Sequence, residues 1–172
     1  MSHTSPDIRN YYIGKGNVEV MLDGDTVWRH VGNVVSFEFT PAIDKLDHFS
    51  SMEGVKSKDR TVVLTKSGSL KMVMEEFTAE NMAMALIGAA SVNSSGLDEI
   101  DIFSEEQVTC KVRFTGTNEV GPKWQLLFNK VDFIPSAAIN PISDEWGQLE
   151  VTGDVSTVGG SFGTAKKLAD EA

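Results

Sequence analysis

The sequence predicts a mainly β protein, an antiparallel β-sandwich or barrel with one flanking α-helix. Apolar and polar residues alternate along several segments, most clearly at 107–115, which is the period of a strand with one buried face. Turn residues such as Asp23-Gly24 separate these segments. Only 78–88 has the apolar spacing of an amphipathic helix. Strands, one helix and then more strands indicate a sheet with a helix at its side.

The predicted strands are bounded by turn and breaker residues. They span 11–22, 28–40, 60–66, 69–77, 107–115, 124–135 and 146–155. Pro41 has no N–H for a β-ladder and is expected to end the second strand. Ser67-Gly68 is typical of a hairpin turn. A bulge near Asn129-Lys130 would bring both halves of the sixth strand onto one face.

The predicted helix has recognisable ends. Thr78 is a good N-cap, and Gly88 can close the helix in a left-handed conformation. The small, polar and acidic segment 89–106 is expected to be mostly loop. Cys110 lies on the apolar side of its strand, where it is expected to be a small buried residue.

A chain of 172 residues predicts a single domain, 1–172. The polar N-terminal arm, 1–9, lacks the apolar region of a signal peptide, so synthesis in the cytoplasm is expected. Segment 159–172 is rich in glycine and then in charge, which predicts a flexible C-terminal tail. No apolar run approaches the roughly 20 residues that span a bilayer, so no membrane partner is expected.

Charge and motifs argue against several classes of function. Fifteen basic and 25 acidic residues give a net charge of −10, which disfavours nucleic-acid binding through phosphates. One cysteine excludes an internal disulfide and a multi-cysteine zinc site. The Gly-x-Ser-x-Gly pattern at 159–163 has no histidine after Ser161, which that catalytic motif requires. We therefore expect no enzyme, no cofactor and no metal site.

Segment 42–58 is unusually long for a connection within one domain, where about 2–6 residues is common. Apolar residues recur at every third position, at Leu46, Phe49, Met52 and Val55, and a solvated linker has no use for them. We expect the segment to pack either on its own body or on another molecule.

Several stretches resemble the major tail tube proteins of long-tailed bacteriophages. These stretches are 10–16, 28–33, 37–41, 45–54, 58–61 and 75–82. The resemblance covers most of residues 10–90 and is most specific in the long loop. Beyond residue 90 it rests on the strand pattern alone.

The resemblance implies a virion protein of the tail, in which six subunits close a ring and rings stack into a tube. The partners implied are further copies of the chain, the tape measure protein and the tail tip and terminator proteins. The loop after the second strand reaches the adjacent ring in that family. The residues that correspond to it here are Asp44, Lys45, Leu46, Asp47, His48, Phe49, Met52, Glu53, Lys56 and Lys58.

A conduit for DNA should repel phosphate rather than bind it. We expect the net charge of −10 to keep the channel negative. The candidate lining residues are Ser36, Glu38, Thr61 and Gln125.

Two alternatives stay open. The same architecture serves as the tube of a contractile tail or of a type VI secretion system. A different class is a monomeric β-sandwich module that binds a small ligand or glycan, and it would need aromatic side chains free in loops. Only Trp28 and Trp146, near strand ends, are candidates for that role.

Overall fold

A computed structural model describes residues 5–52 and 54–169. It confirms the fold class: antiparallel β-sheet with one flanking helix. A short 3-10 helix, Ile8–Asn10, precedes the first strand. The further elements are β1 Gly16–Leu22, β2 Arg29–His30, β3 Val34–Ser50, β4 Ser57–Met74, α1 Ala79–Leu86, β5 Ala89–Val92, β6 Asp98–Asp101, β7 Val108–Gly116, β8 Trp124–Pro135, β9 Leu149–Val155 and β10 Gly163–Lys167.

Eight strands form one curled antiparallel sheet. Its order is β2-β1-β7-β8-β9-β4-β3, and β10 adds to β8. The sheet folds over on itself, because Phe37 of β3 stacks on Phe114 of β7 with ring centroids 5.5 Å apart. Phe39 lies 5.0 Å from the ring of Phe128 in β8. The two ends of the sheet therefore enclose a common core, as in a sandwich.

The core consists of the inward side chains of β1, β4, β7, β8 and β9, covered at one end by α1. The largest fully buried side chains include Phe133, Leu70, Met72, Met74 and Leu149. Cys110 is buried among them, as predicted. Burial raises the pKa of its thiol to about 12. The cysteine therefore packs as a small apolar residue.

Helix α1 begins where the sequence predicted. The Thr78 hydroxyl accepts a hydrogen bond from the backbone N–H of Asn81 at 3.2 Å, as an N-cap does. The left-handed residue at the other end is Ile87, with φ of 44°, and not the predicted Gly88. Gly88 is required for space instead, because a Cβ there would lie 2.5 Å from the Asp101 carbonyl oxygen.

The predicted strand end at Pro41 and the predicted turn at Ser67-Gly68 are both wrong. Strand β3 continues through Pro41 to Ser50, and β4 continues through Ser67-Gly68. Pro41 and Gly68 face each other in the ladder between the two strands. Pro41 is tolerated because β3 is an edge strand, whose second side has no ladder partner in the described part of the chain. Gly68 leaves room for the Phe39 ring, which lies over it.

Other local expectations have mixed outcomes. The bulge is confirmed, since Asn129 and Lys130 of β8 lie opposite only Lys111 between two paired positions. Segment 89–106, predicted as loop, contains the hairpin of β5 and β6. The predicted flexible tail contains β10, which pairs with 124–128 of β8, and only 170–172 lie outside the described residues. Residues 1–4 of the predicted N-terminal arm also lie outside them.

Candidate interaction surface

The predicted inter-ring loop is a two-stranded β-ribbon that projects from the body. We call residues 41–68 the hairpin arm. Strand β9 pairs with β4 only from Met74 to Ser69, so beyond Ser69 β3 and β4 pair only with each other among the residues that the structure describes. At about 3.3 Å per residue, Pro41 to Ser50 spans roughly 30 Å. Both faces of this ribbon are exposed.

Apolar side chains are exposed on both strands of the hairpin arm and at its tip. Met52 and Val55 are 92% and 94% exposed, and Leu46 is 61% exposed. The others are Ile43, Phe49, Val62, Val63 and Leu64. Large contiguous exposed apolar patches on soluble proteins mark interaction sites. This concentration therefore distinguishes the hairpin arm from an ordinary solvated loop.

Polar pairs across the hairpin arm hold its two strands in register. The Lys58 ammonium lies 2.8 Å from an Asp47 carboxylate oxygen, and the Thr61 hydroxyl donates to the same carboxylate at 2.7 Å. These two hydrogen bonds, in that order, lower the pKa of Asp47. His48 Nδ1 lies 2.6 Å from an Asp59 oxygen. The ribbon is thus specified by local pairs rather than by a core.

Two bulges interrupt the ladder of the hairpin arm. Leu64 is the extra residue between the pairs of Asp44 with Thr65 and Lys45 with Val63. Asp59 is the extra residue between the pairs of His48 and Phe49. Bulges increase the twist of a ribbon and re-aim its side chains. Each bulge shifts the phase of β4 by one residue, so a strict period of two does not run through 57–67.

The long outer edge of β3 is open. Strand β3 pairs with β4 alone, over 34–50, so its other side carries unpaired backbone groups in the part of the chain that the structure describes. The opposite end of the sheet is β2, with only Arg29 and His30. Exposed edges are templates for pairing with another chain. The body therefore offers a second route to association besides the hairpin arm.

The predicted contact residues all map to the hairpin arm, except that Glu53 lies outside the described residues. Thr61, predicted to line a channel, also lies in the arm and bonds to Asp47. The Thr65 hydroxyl donates to the Asp44 carboxylate at 2.6 Å, closer to the body. Asp47 and Asp44 are therefore engaged within the ribbon, whereas the exposed apolar residues are not.

The other channel-lining candidates fall on two different surfaces. Ser36 donates to Glu38 at 2.8 Å on the outer face of β3. Gln125 bonds to Thr115 at 3.4 Å on the outer face of β8. The inner face of β3 packs across the core against the inner face of β7 and β8. Their outer faces therefore lie on opposite sides of the molecule. The structure does not bring the four candidates together on one wall.

The outer face of the sheet is crossed by ion pairs. Arg113 of β7 lies 2.7 Å from Glu19 of β1 and stacks 4.3 Å over the Trp28 ring. Lys71 of β4 lies 2.8 Å from Glu150 of β9. These cations are paired within the chain, so they add little free positive charge to the surface.

No group of three or more His, Cys, Asp or Glu side chains among the described residues is arranged to hold a metal ion. None of the described helices is long and apolar enough to cross a membrane.

A family model described as "Protein of unknown function UCP028589" matches residues 11–98. The chain belongs to this family. The matched region of the UCP028589 member runs from the segment before β1 to the start of β6, and so contains the whole hairpin arm. The comparison with curated proteins finds no match.

Sequence reasoning located the unusual segment in this family member and predicted part of its second strand, 60–66, but missed its first strand, 42–50. Because neither face of the ribbon is buried, 42–50 has no alternation to detect. One usable signal was present: 60–66 was a predicted strand, and Gly54, with φ of 58°, lies in the turn that would pair it with 42–50. The exposed apolar residues of 89–106 gave no periodic signal and were also missed.

Proposed function

We propose that this chain is the subunit of a self-assembling tube of the tail-tube kind, in which copies form rings and the rings stack. In a long-tailed phage the tube belongs to the virion and conducts DNA during ejection. The tape measure protein would lie inside it, and the tail tip and terminator proteins would bind its ends. DNA would pass through the tube without specific binding.

The main support for the proposal is the exposed apolar surface of the hairpin arm. The arm is about 30 Å of ordered ribbon that buries none of its large apolar side chains fully, although burying one such residue stabilises by roughly 1.5–3 kcal/mol. A monomer gains nothing from exposing Leu46, Met52 and Val55. Their exposure supports a role in assembly, in which a stacked copy would cover them.

The open edge of β3 supports the proposed assembly into a ring. Strand pairing between neighbouring copies would satisfy backbone groups along 34–40, which no strand of the described chain covers from that side. A ring that closes on itself leaves no free edge, which is the usual solution for a closed symmetric assembly.

The acidic character of the chain suits a channel for DNA. A net charge of −10 repels phosphate, which favours passage over adhesion. Of the two outer faces, that of β3 carries Glu38, and we assign it to the channel wall. Gln125 on β8 would then face outward.

The tube of a contractile tail or of a type VI secretion system would have the same ring and the same ribbon. Only the presence of a surrounding sheath distinguishes these machines, and we propose the non-contractile tail on the resemblance of residues 10–90.

A monomeric module that binds a small ligand or glycan has one observation in its favour. Trp146, in the segment before β9, is 91% exposed and could stack on a sugar ring. Trp28 is engaged with Arg113 and is not free for that role. Titration of Trp146 fluorescence with a panel of glycans checks this candidate, and saturable quenching lost in Trp146→Ala would favour it over a tube.

Removing the hairpin arm tests the proposed function. Thr40 and Ser69 face each other in the ladder, so a two-residue Asn-Gly turn can replace 41–68 without changing the body. We expect full-length protein to form rings or tubes by negative-stain electron microscopy and the shortened variant to stay monomeric with a cooperative thermal transition. Monomeric globules of the full-length chain at every concentration would reject the proposal.

A further inference from the structure

A second exposed apolar surface lies next to the end of α1. It consists of the hairpin of β5 and β6 and the turn that follows, residues 89–106, and we call it the acidic hairpin patch. Its exposed apolar side chains are Val92, Leu97, Ile102 and Phe103. The hairpin is held to the body by the backbone N–H of Phe103, which donates to the Leu86 carbonyl at 3.1 Å. The patch is therefore a fixed surface.

The patch is rimmed by carboxylates without partners. Asp98, Glu99, Asp101, Glu105 and Glu106 lie in it. Within the described residues none of these side chains makes a hydrogen bond or an ion pair, and all five are exposed. The surrounding sequence, 72–110, contains eight acidic residues and no Lys, Arg or His. The cations that would neutralise the patch are thus absent from its own neighbourhood in sequence.

The hairpin arm, unlike the acidic hairpin patch, has more basic than acidic residues. It contains five basic residues, Lys45, Lys56, Lys58, Arg60 and Lys66, and four acidic ones, Asp44, Asp47, Glu53 and Asp59. Its net charge is therefore +1, and since the whole chain has −10, the remainder has −11. Asp47 and Asp59 are engaged by Lys58 and His48. Lys56 and Arg60 have no ion-pair partner among the described residues and stand beside the apolar tip.

The two surfaces are held apart within one chain. Strand β4 runs without a break from Ser57 at the tip of the arm to Met74, which is roughly 50 Å of extended backbone. The chain leaves Met74 for α1 and the acidic hairpin patch, at the end of β4 remote from the tip. The tip therefore cannot cover the patch of its own subunit.

We propose that the tip of the hairpin arm docks on the acidic hairpin patch of a second copy of this chain. Lys56 and Arg60 face the carboxylates, and Phe49, Met52 and Val55 cover the exposed apolar side chains. Two different surfaces meet, so the contact is heterologous and propagates head to tail instead of closing as a dimer. This inference rests on the proposed function and specifies which surface of the next ring receives the arm.

Reciprocal charge reversal tests the docking. The variants are Lys56→Glu with Arg60→Glu in the arm, Glu99→Lys with Asp101→Lys in the patch, and the four changes together. Asp144→Lys with Glu145→Lys, two exposed acids outside the patch, is the matched control for net charge. Circular dichroism and thermal unfolding check that each variant folds.

We expect each reversed pair to raise the critical concentration for assembly, measured by sedimentation, at least tenfold. The control should change it less than threefold, and the combined variant should restore it. Raising NaCl should weaken wild-type assembly, since exposed charges are screened.

If the patch reversal behaves like the control while wild-type protein still forms tubes, the docking site is wrong and the proposed function stands. If the combined variant assembles no better than either reversed pair, the pairing of these two surfaces is wrong. If wild-type protein forms no assemblies under any condition, the proposed function fails and the docking fails with it.

Discussion

The body and the hairpin arm share two strands, β3 and β4, yet only the body has a core. In the body half of β4, Leu70, Met72 and Met74 are fully buried. In the arm half, 57–67, every residue is exposed. The ladder continues through both halves, so the difference lies in what packs on its faces and not in its hydrogen bonds. Strand pairing alone leaves a two-stranded ribbon marginally stable, and burial of its apolar side chains is what a partner would add.

The largest expected difference between the two halves is the response to deletion of an aromatic side chain. Phe133→Ala in the core should lower the free energy of unfolding by about 3–5 kcal/mol, because it leaves a cavity. Phe49→Ala in the hairpin arm should change it by less than about 0.5 kcal/mol, because the side chain is half exposed. Urea denaturation of dilute, monomeric protein measures both. Equal losses would show that the arm is part of the cooperative core.

A smaller loss is expected from the buried amide of Asn81. Its amide nitrogen donates to the carbonyls of Val31 and Glu76, and its oxygen accepts from Arg29 at 2.7 Å. Asn81→Ala leaves these groups unpaired, which should cost about 3 kcal/mol. Differential scanning calorimetry gives the change, with Asn93→Ala, in the exposed turn of the acidic hairpin patch, as the comparison. A loss no larger than that of Asn93→Ala would contradict the structural role of Asn81.

The smallest effect concerns pH and is confined to the arm. The pKa of Asp47 is lowered in the folded chain by Lys58 and Thr61, so its contribution is present above its ordinary pKa of about 3.9. That contribution is lost as pH falls through the lower folded value. The residual protection factors at 58–62 of the dissociated chain, which are corrected for the intrinsic pH dependence of amide exchange, should fall further below about pH 4 in wild-type protein. In Asp47→Asn they should have the lower value at every pH. A fall of equal size in the core strands would show that the arm and the body open together.

The fold class was predictable because the body obeys simple rules. Alternation along 107–115 and the apolar stripe of α1 each reflect a face that is buried within one chain. The N-cap Thr78 and the bulge at Asn129-Lys130 were predictable for the same reason, since local geometry and the core agree there.

Apart from the strand predicted at 60–66, the hairpin arm and the acidic hairpin patch were not predicted as structure. Pro41 and Gly68 usually end a strand. Pro41 is tolerated here because β3 is an edge strand, and Gly68 is tolerated because the Phe39 side chain packs over it. The sequence did mark 42–58 as a segment without a local explanation. Its shape depends on pairs such as Asp47 with Lys58, which no periodicity reveals.

The central claim is that the exposed side chains of the hairpin arm are covered only when another copy of the chain binds. Hydrogen–deuterium exchange of assembled and dissociated protein tests it. We predict that 43–50 and 57–66 exchange rapidly in the dissociated chain and become protected on assembly, together with 97–106 of the patch. The core strands β7 and β8 should stay protected in both states. Rapid exchange of the arm in assembled material, or a full-length chain that never assembles, would contradict the account.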